Sequence, residues 1–234
     1  MSFSIRPGEV LGLIGPNGSG KTTLFECLAG VLPMDSGAVL LDGRPIATGD
    51  RCSALFYLPD AIAPWPAQSV RWALDFTIGY FGVRPRHESS RGLTPTAPPL
   101  TPARDDVIER LDLAPILDAA IGTLSKGQRK RALLAIGLLT PQAVLLADEP
   151  FDGLDLRQSR DVARALREYA KDGRTMFLSI HQISEAARVC DRFVLLSGGR
   201  VCGEGTLDHL SSLSSSRGVT PAAPGLEEVF LALT

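Results

Sequence analysis

Gly15-Pro16-Asn17-Gly18-Ser19-Gly20-Lys21-Thr22 matches the pattern GxxxxGK[ST]. The chemistry that order serves is the grip of a polyphosphate. Glycines let the backbone curl until several N–H groups converge on phosphate oxygens, and a following helix adds the positive end of its dipole. On this reading Lys21 reaches the β- and γ-phosphates, the Thr22 hydroxyl ligates Mg²⁺, and Thr23 belongs to the same cradle. The bland alternative is a glycine-rich turn that only caps a helix.

Val144-Leu-Leu-Ala-Asp148-Glu149-Pro150 is an apolar run that ends in two adjacent carboxylates. Strands often end in acidic turn residues, so the run alone carries little. Downstream of a phosphate loop, Asp148 becomes the outer Mg²⁺ ligand and Glu149 the group that orients or deprotonates an attacking water. Leu124-Ser125-Lys126-Gly127-Gln128 sets a serine before a helix that runs to Leu139. Ser125 can be a plain N-cap. It can also form, with the Gly127 N–H, a second anion site used on another molecule's nucleotide.

Chemistry of this kind needs a rigid frame, and the patterning supplies one. Glu9 to Ile14 reads as a strand, Lys21 to Ala29 as a helix and Ala54 to Leu58 as a strand. Helix dominates from Ser69 to Phe81 and from Asp105 to Leu139. Val144 to Ala147, Thr175 to Ile180 and Arg192 to Leu196 read as strands, with a helix from Leu156 to Lys171 between the first two. Alternation of this sort predicts an α/β fold with a mostly parallel sheet and helices on both faces. The expected division is a catalytic core of residues 1–67 and 141–210, an inserted helical lobe at 68–140 with a proline-rich insertion at 82–104, and a tail with a short helix at 211–234.

Composition agrees with an ordinary domain of 234 residues, 44% hydrophobic and 21% charged. That length buries enough surface to need no disulfide or metal staples. The longest apolar stretch, Ala132 to Leu139, is far short of the ~20 residues a bilayer crossing needs, and mean hydropathy is only +0.11. Four scattered cysteines form no CxxC pair, and Cys27 reads as a small buried residue. A net charge of −2 argues against broad nucleic-acid binding, so no specific nucleic acid is expected. Arg157, Arg160, Arg164, Arg167 and Lys171 form a basic helical stripe, read as a solvated face; Arg129-Lys130-Arg131 is read the same way.

The phosphate loop, Leu-Ser-Lys-Gly-Gln and Val-Leu-Leu-Ala-Asp-Glu-Pro, in this order and spacing, resemble the ATP-binding cassette ATPases of ABC transporters over nearly the whole chain. The resemblance implies a P-loop NTPase (RecA-like) sheet core with an inserted α-helical subdomain, and ATP with Mg²⁺ as its ligands. It also implies that Gln128 joins Ser125 and Gly127 at the nucleotide of a second copy. Phe151-Asp152-Gly153-Leu154-Asp155 looks like the family's D-loop, with Asp155 at the dimer contact. His181, after Leu178-Ser179-Ile180, looks like the switch histidine, holding the γ-phosphate and the Glu149 side.

Two features depart from the family pattern. Asp60 stands where the family has a Gln that touches Mg²⁺ and water; it keeps a ligating oxygen but loses the amide donor. In the family a strand with an adenine-stacking aromatic precedes the segment that Met1-Ser2-Phe3-Ser4-Ile5 resembles, and Phe3 lies too close to the loop to replace it; the expectation is that adenine is held loosely or that the true chain begins earlier. The resemblance implies a homodimer or heterodimer of ATPase subunits on the cytoplasmic face of the membrane. A separate transmembrane permease would be driven by ATP-dependent closure. The stretch Asp148-Glu-Pro-Phe-Asp-Gly-Leu-Asp155 and the ending Leu226-Glu-Glu-Val-Phe-Leu-Ala-Leu favour ABC-2-type exporters. The alternatives are a soluble ABC-type ATPase acting on DNA, the ribosome or an assembly, and a regulator with little turnover.

Overall fold

The computed structural model describes residues 1–82, 102–216 and Val229. Every residue of β1 (Val10–Ile14) is buried. A strand apolar on both faces must be covered by helices on both faces, which is the lot of a central parallel strand. It lies between β6 (Thr175–Ile180) and β7 (Arg192–Ser197) and runs parallel to both. The full order is β4 (Leu55–Leu58), β5 (Val144–Asp148), β6, β1, β7 and β8 (Arg200–Gly205), and only β8 is antiparallel. This is the expected α/β sheet.

The two-residue period of the strands sorts their side chains. Val10, Ile14, Met176, Leu178 and Ile180 enter one core, while Leu11, Leu13 and Phe177 enter the other. The second core is closed by α1 (Lys21–Ala29), whose Phe25 ring lies 4.9 Å from Phe177 and 6.1 Å from Tyr57. Phe3 joins it at 5.3 Å from Phe177, so this aromatic is a packing residue. The first core is covered by α3 (Val70–Phe81), α4 (Arg104–Arg110), α5 (Lys126–Leu138), α6 (Leu156–Lys171) and α7 (Ile183–Val189). Two shorter elements, β2 (Leu40–Leu41) and β3 (Arg44–Pro45), form a hairpin whose turn is Asp42-Gly43, both at positive φ. The remaining helices are α2 (Arg51–Ala54) and α8 (Leu207–Ser216).

Ten of the thirteen residues of α5 are buried, as a helix enclosed on nearly every side requires. Its C-terminal end is met by Arg174, 5% exposed. Nη1 donates to Thr140 O at 2.8 Å, and Nη2 to Gly137 O at 2.9 Å and Thr140 Oγ1 at 3.1 Å. Burial lowers the Arg174 pKa to about 10, and helix-end carbonyls offset part of that cost.

Several expectations change. Lys130 and Arg131 are not solvated: they are 4% and 6% exposed, and Arg131 Nη1 donates to Leu111 O, Asp112 O and Asp112 Oδ2. Periodicity cannot separate a charged face from charges tucked under a neighbouring helix, because long aliphatic stems carry their heads to distant partners. The stripe on α6 does face solvent, with Arg164 paired to Asp161 at 2.9 Å. Helix between Asp105 and Leu139 is broken by 3₁₀ turns at Ala114–Ile116, where Pro115 falls, and Ile121–Thr123. Cys27 is half-buried, and all four cysteines are free. The proline-rich insertion and the terminal helix fall outside the described residues, except for the insertion's ends and Val229, which is helical and buried. Among the described residues no helix is long and apolar enough to cross a membrane.

Candidate functional site

Between β1 and α1 the loop Gly15–Gly20 buries Gly15 and Ser19 and exposes Pro16, Asn17 and Gly18. Gly18 and Gly20 take φ of 77° and 102°, yet a β-carbon at either would meet nothing within 4 Å; the backbone, not space, demands glycine there. α1 starts with no side-chain cap and no acid in its first turn, so its leading N–H groups point unpaired at the space before the helix. Lys21, 6% exposed, donates to Gly15 O at 2.9 Å and Pro16 O at 3.3 Å, and to no carboxylate among the described residues. Ser19 Oγ is buried with no partner among the described residues. A buried ammonium without counter-charge and an orphaned hydroxyl are both costly. A phosphate would relieve both, so the loop fits the nucleotide. Thr22 and Thr23 stand exposed on the first turn of α1.

Opposite this turn, β5 delivers Asp148, 3% exposed. Its Oδ2 accepts from Thr22 Oγ1 at 2.7 Å, and its Oδ1 accepts from Ser179 Oγ. A hydroxyl and a carboxylate in contact form an all-oxygen donor pair suited to a hard cation such as Mg²⁺. The next residue, Glu149, has φ 48°, a left-handed conformation strained for any residue with a side chain. Its N–H donates to Ser179 O at 3.2 Å and Ser179 Oγ at 3.0 Å. The turn brings Glu149 Oε2 to 3.3 Å from His181 Nδ1, just past the end of β6. On β4 the Tyr57 phenol is pushed well up, first by burial and then by the charges of Asp148, Glu26 and Asp60.

Ser125 caps α5 in a reciprocal box: its Oγ accepts from Gln128 N at 3.3 Å, and Gln128 Oε1 accepts from Ser125 N at 3.0 Å. These bonds stay within the cap and do not reach the phosphate loop of the same chain. Gly127 is buried, and a β-carbon on it would stand 2.6 Å from Gly153 O, so this helix start is pressed onto the turn after Glu149. Lys126 pairs with Asp152 across that contact, and its hydrogen bond holds the Asp152 carboxyl below the usual range. Asp155 is exposed and caps α6, accepting from Gln158 N at 2.8 Å.

The fold therefore gathers Gly15–Thr23, Asp148, Glu149 and His181 at one end of the parallel strands and sets Ser125, Gly127 and Gln128 beside the 149–155 turn. Asp60 is held by Lys130, whose Nζ lies 2.6 Å from Asp60 Oδ1 and donates to Asp148 O at 3.1 Å. Sequence reasoning missed the parts played by Lys130 and Ser179. Signals existed: a serine alone among apolar neighbours in Met-Phe-Leu-Ser-Ile, and a lysine in the turn just before the apolar run from Ala132 to Leu139.

The profile of the ABC transporter family matches residues 1–152. The chain is 34% identical over 207 residues to the Nod factor export ATP-binding protein I of Burkholderia pseudomallei, spanning 88% of this chain and 64% of that protein. It is 31% identical over 201 residues to the manganese transport system ATP-binding protein MntA of Synechocystis sp., spanning 83% and 72%. Against the mouse ABC-type organic anion transporter ABCA8B the identity is 33% over 213 residues, 91% of this chain but 12% of that protein. The structure of an ATP-binding subunit of an ABC transporter superposes with a TM-score of 0.78 at 27% identity, covering 99% of this chain and 90% of its own. A profile that spans more than half of the chain, and a fold shared over nearly all of it, lead to one assignment: the chain belongs to the ABC transporter family and carries its ATP-binding, ATP-hydrolysing cassette.

Proposed function

We propose that the chain powers a transporter as its ATPase subunit, binding MgATP, hydrolysing it in a head-to-tail dimer and driving a separate transmembrane partner. The observation that carries this reading is Lys21, a buried ammonium whose hydrogen-bond partners among the described residues are two loop carbonyls. Lys21 and the N–H groups of the loop hold the β- and γ-phosphates; Thr22 and Asp148 hold Mg²⁺, with Asp60 a third oxygen donor only if it leaves Lys130. A Mg²⁺ held by Thr22 and Asp148 would supply positive charge to neutralise the phosphates. Glu149 orients the attacking water and takes its proton, and His181 fixes the direction of that carboxylate. In the dimer, Ser125 keeps its own O–H free to donate, because within its cap the oxygen only accepts. That proton and the Gly127 N–H serve the nucleotide on the second copy, with Gln128 holding the cap in shape and Asp155 near the contact.

Residues 68–140 form the lobe that meets the membrane partner, while 1–67 and 141–210 form the catalytic core and 211–234 the tail. The exposed aromatics of α3 support this: Trp72 stacks on Phe76 at 4.9 Å, Phe76 on Tyr80 at 5.9 Å, and Trp65 lies 5.1 Å from Phe76. A contiguous exposed aromatic row marks an interaction surface. The relative named for Nod factor export favours outward transport, with the chain peripheral on the cytoplasmic face. Lys21→Ala should lose ATP binding, and with it turnover, in the purified chain; undiminished hydrolysis would remove the assignment. Isolation from membranes with a polytopic protein supports the transporter, and recovery only in the soluble fraction favours a soluble ABC-type ATPase.

A further inference from the structure

We propose that Lys130 is a positioning residue for Glu149, acting through the peptide bond that precedes it. The inference rests on Glu149 as the group that handles water. That peptide is trans, and its N–H donates toward β6, to Ser179. In a planar trans peptide the carbonyl points opposite to the N–H, so the Asp148 C=O faces the β4 side. There the ladder has run out. The last pairing of β4 sets Leu58 opposite Ala147, and among the described residues no backbone N–H donates to Asp148 O. Lys130, reaching across from α5, fills the gap with its Nζ 3.1 Å from Asp148 O.

The peptide is thereby gripped on both sides, by Ser179 and by Lys130, immediately before a residue at φ 48°. A strained conformation persists only where its surroundings over-determine it. Without the grip on the carbonyl, the peptide can rotate and Glu149 can relax out of the left-handed region, carrying its carboxylate away from His181. Asp60, 2.6 Å from the same Nζ, is the counter-charge that keeps a cation 4% exposed in this place.

Balancing Asp60 and gripping the carbonyl are separable roles. In the full chain, kcat and KM for MgATP, equilibrium ATP affinity and thermal unfolding midpoint are measured for Lys130→Met, Lys130→Met/Asp60→Asn and Glu149→Gln. Lys130→Met is expected to lower kcat by about tenfold or more with ATP affinity within about threefold of the parent, and to lower the unfolding midpoint. The double variant, which leaves no carboxylate without its cation, regains the midpoint but not kcat. Recovery of kcat in the double variant shows that Lys130 only balances charge and overturns the inference, as does a kcat within about threefold of the parent in Lys130→Met. If Lys130→Met does not fold, the double variant decides by the same kcat criterion. Turnover retained by Glu149→Gln removes the premise about Glu149; turnover lost there but kept in Lys130→Met removes only the role of Lys130.

Discussion

Ser179 does more at this site than its size implies. Its hydroxyl donates to Asp148 and accepts from the Glu149 N–H, while its carbonyl accepts from the same N–H. Ser179→Ala should leave an Asp148 oxygen buried and unpaired, at a cost of about 1–3 kcal/mol. Denaturant unfolding measures that loss, and a loss near zero would mean that solvent or a shift of Thr22 replaces the hydroxyl. Lys126 and Asp152 give a pH-dependent case. The Asp152 pKa is depressed, first by the hydrogen bond from Lys126, so the pair contributes stability above the ordinary carboxylate pKa of about 4 and loses it as pH falls through the lower folded value. Lys126→Ala should flatten stability against pH on that acid side. Near neutral pH it should lower stability by that same contribution, about 1 kcal/mol or less because the Lys126 side chain is 57% exposed. Unfolding midpoints at a series of pH values test both parts. At this scale Lys21, Asp148 and Glu149 were legible as candidates because their spacing is local. Lys130 was not, since its partners, Asp60 and the Asp148 carbonyl, come from two other elements.

Among the elements, α5 ties the site to the frame. Its N-terminus carries the Ser125 cap and rests on Gly153, its second turn sends Lys130 to the end of β5, and its C-terminal carbonyls close on Arg174. Arg174→Met removes three hydrogen bonds to buried oxygens. A loss of about 2–4 kcal/mol should follow, with ATP affinity nearly unchanged, because Arg174 sits at the end of α5 remote from Ser125. Calorimetric unfolding and nucleotide titration would show the split; equal losses in both would mean that α5 and the phosphate loop move as one. The strands β1, β5 and β6 and the helices α1 and α6 stand within a residue of where periodicity and capping put them. The β2–β3 hairpin could have been read from Asp42-Gly43, but strands of two residues are too short to carry a period.

For the whole molecule, the paired surfaces predict an assembly. The Ser125 cap closes within its own chain with the serine oxygen accepting, and the phosphate loop leaves Lys21 without a carboxylate partner among the described residues. Glu149→Gln keeps the size and the turn but cannot take a proton, so with MgATP it should elute from size exclusion as a dimer and without nucleotide as a monomer. A monomer in both conditions would remove the head-to-tail arrangement. What this sequence determined by itself was its local chemistry: a loop for phosphates, two carboxylates at a strand end, a capped helix and an α/β alternation, all set by residues within one or two turns of each other. Only the tertiary structure decided how the segments hold one another. Asp60 is an oxygen donor in sequence, yet in the fold it is the partner of Lys130, and a charged trio that looks solvated is mostly buried. The reason is physical: a charge is placed by whichever partner lies within reach of its side chain, and in a parallel sheet that partner arrives from a strand or helix distant in the chain.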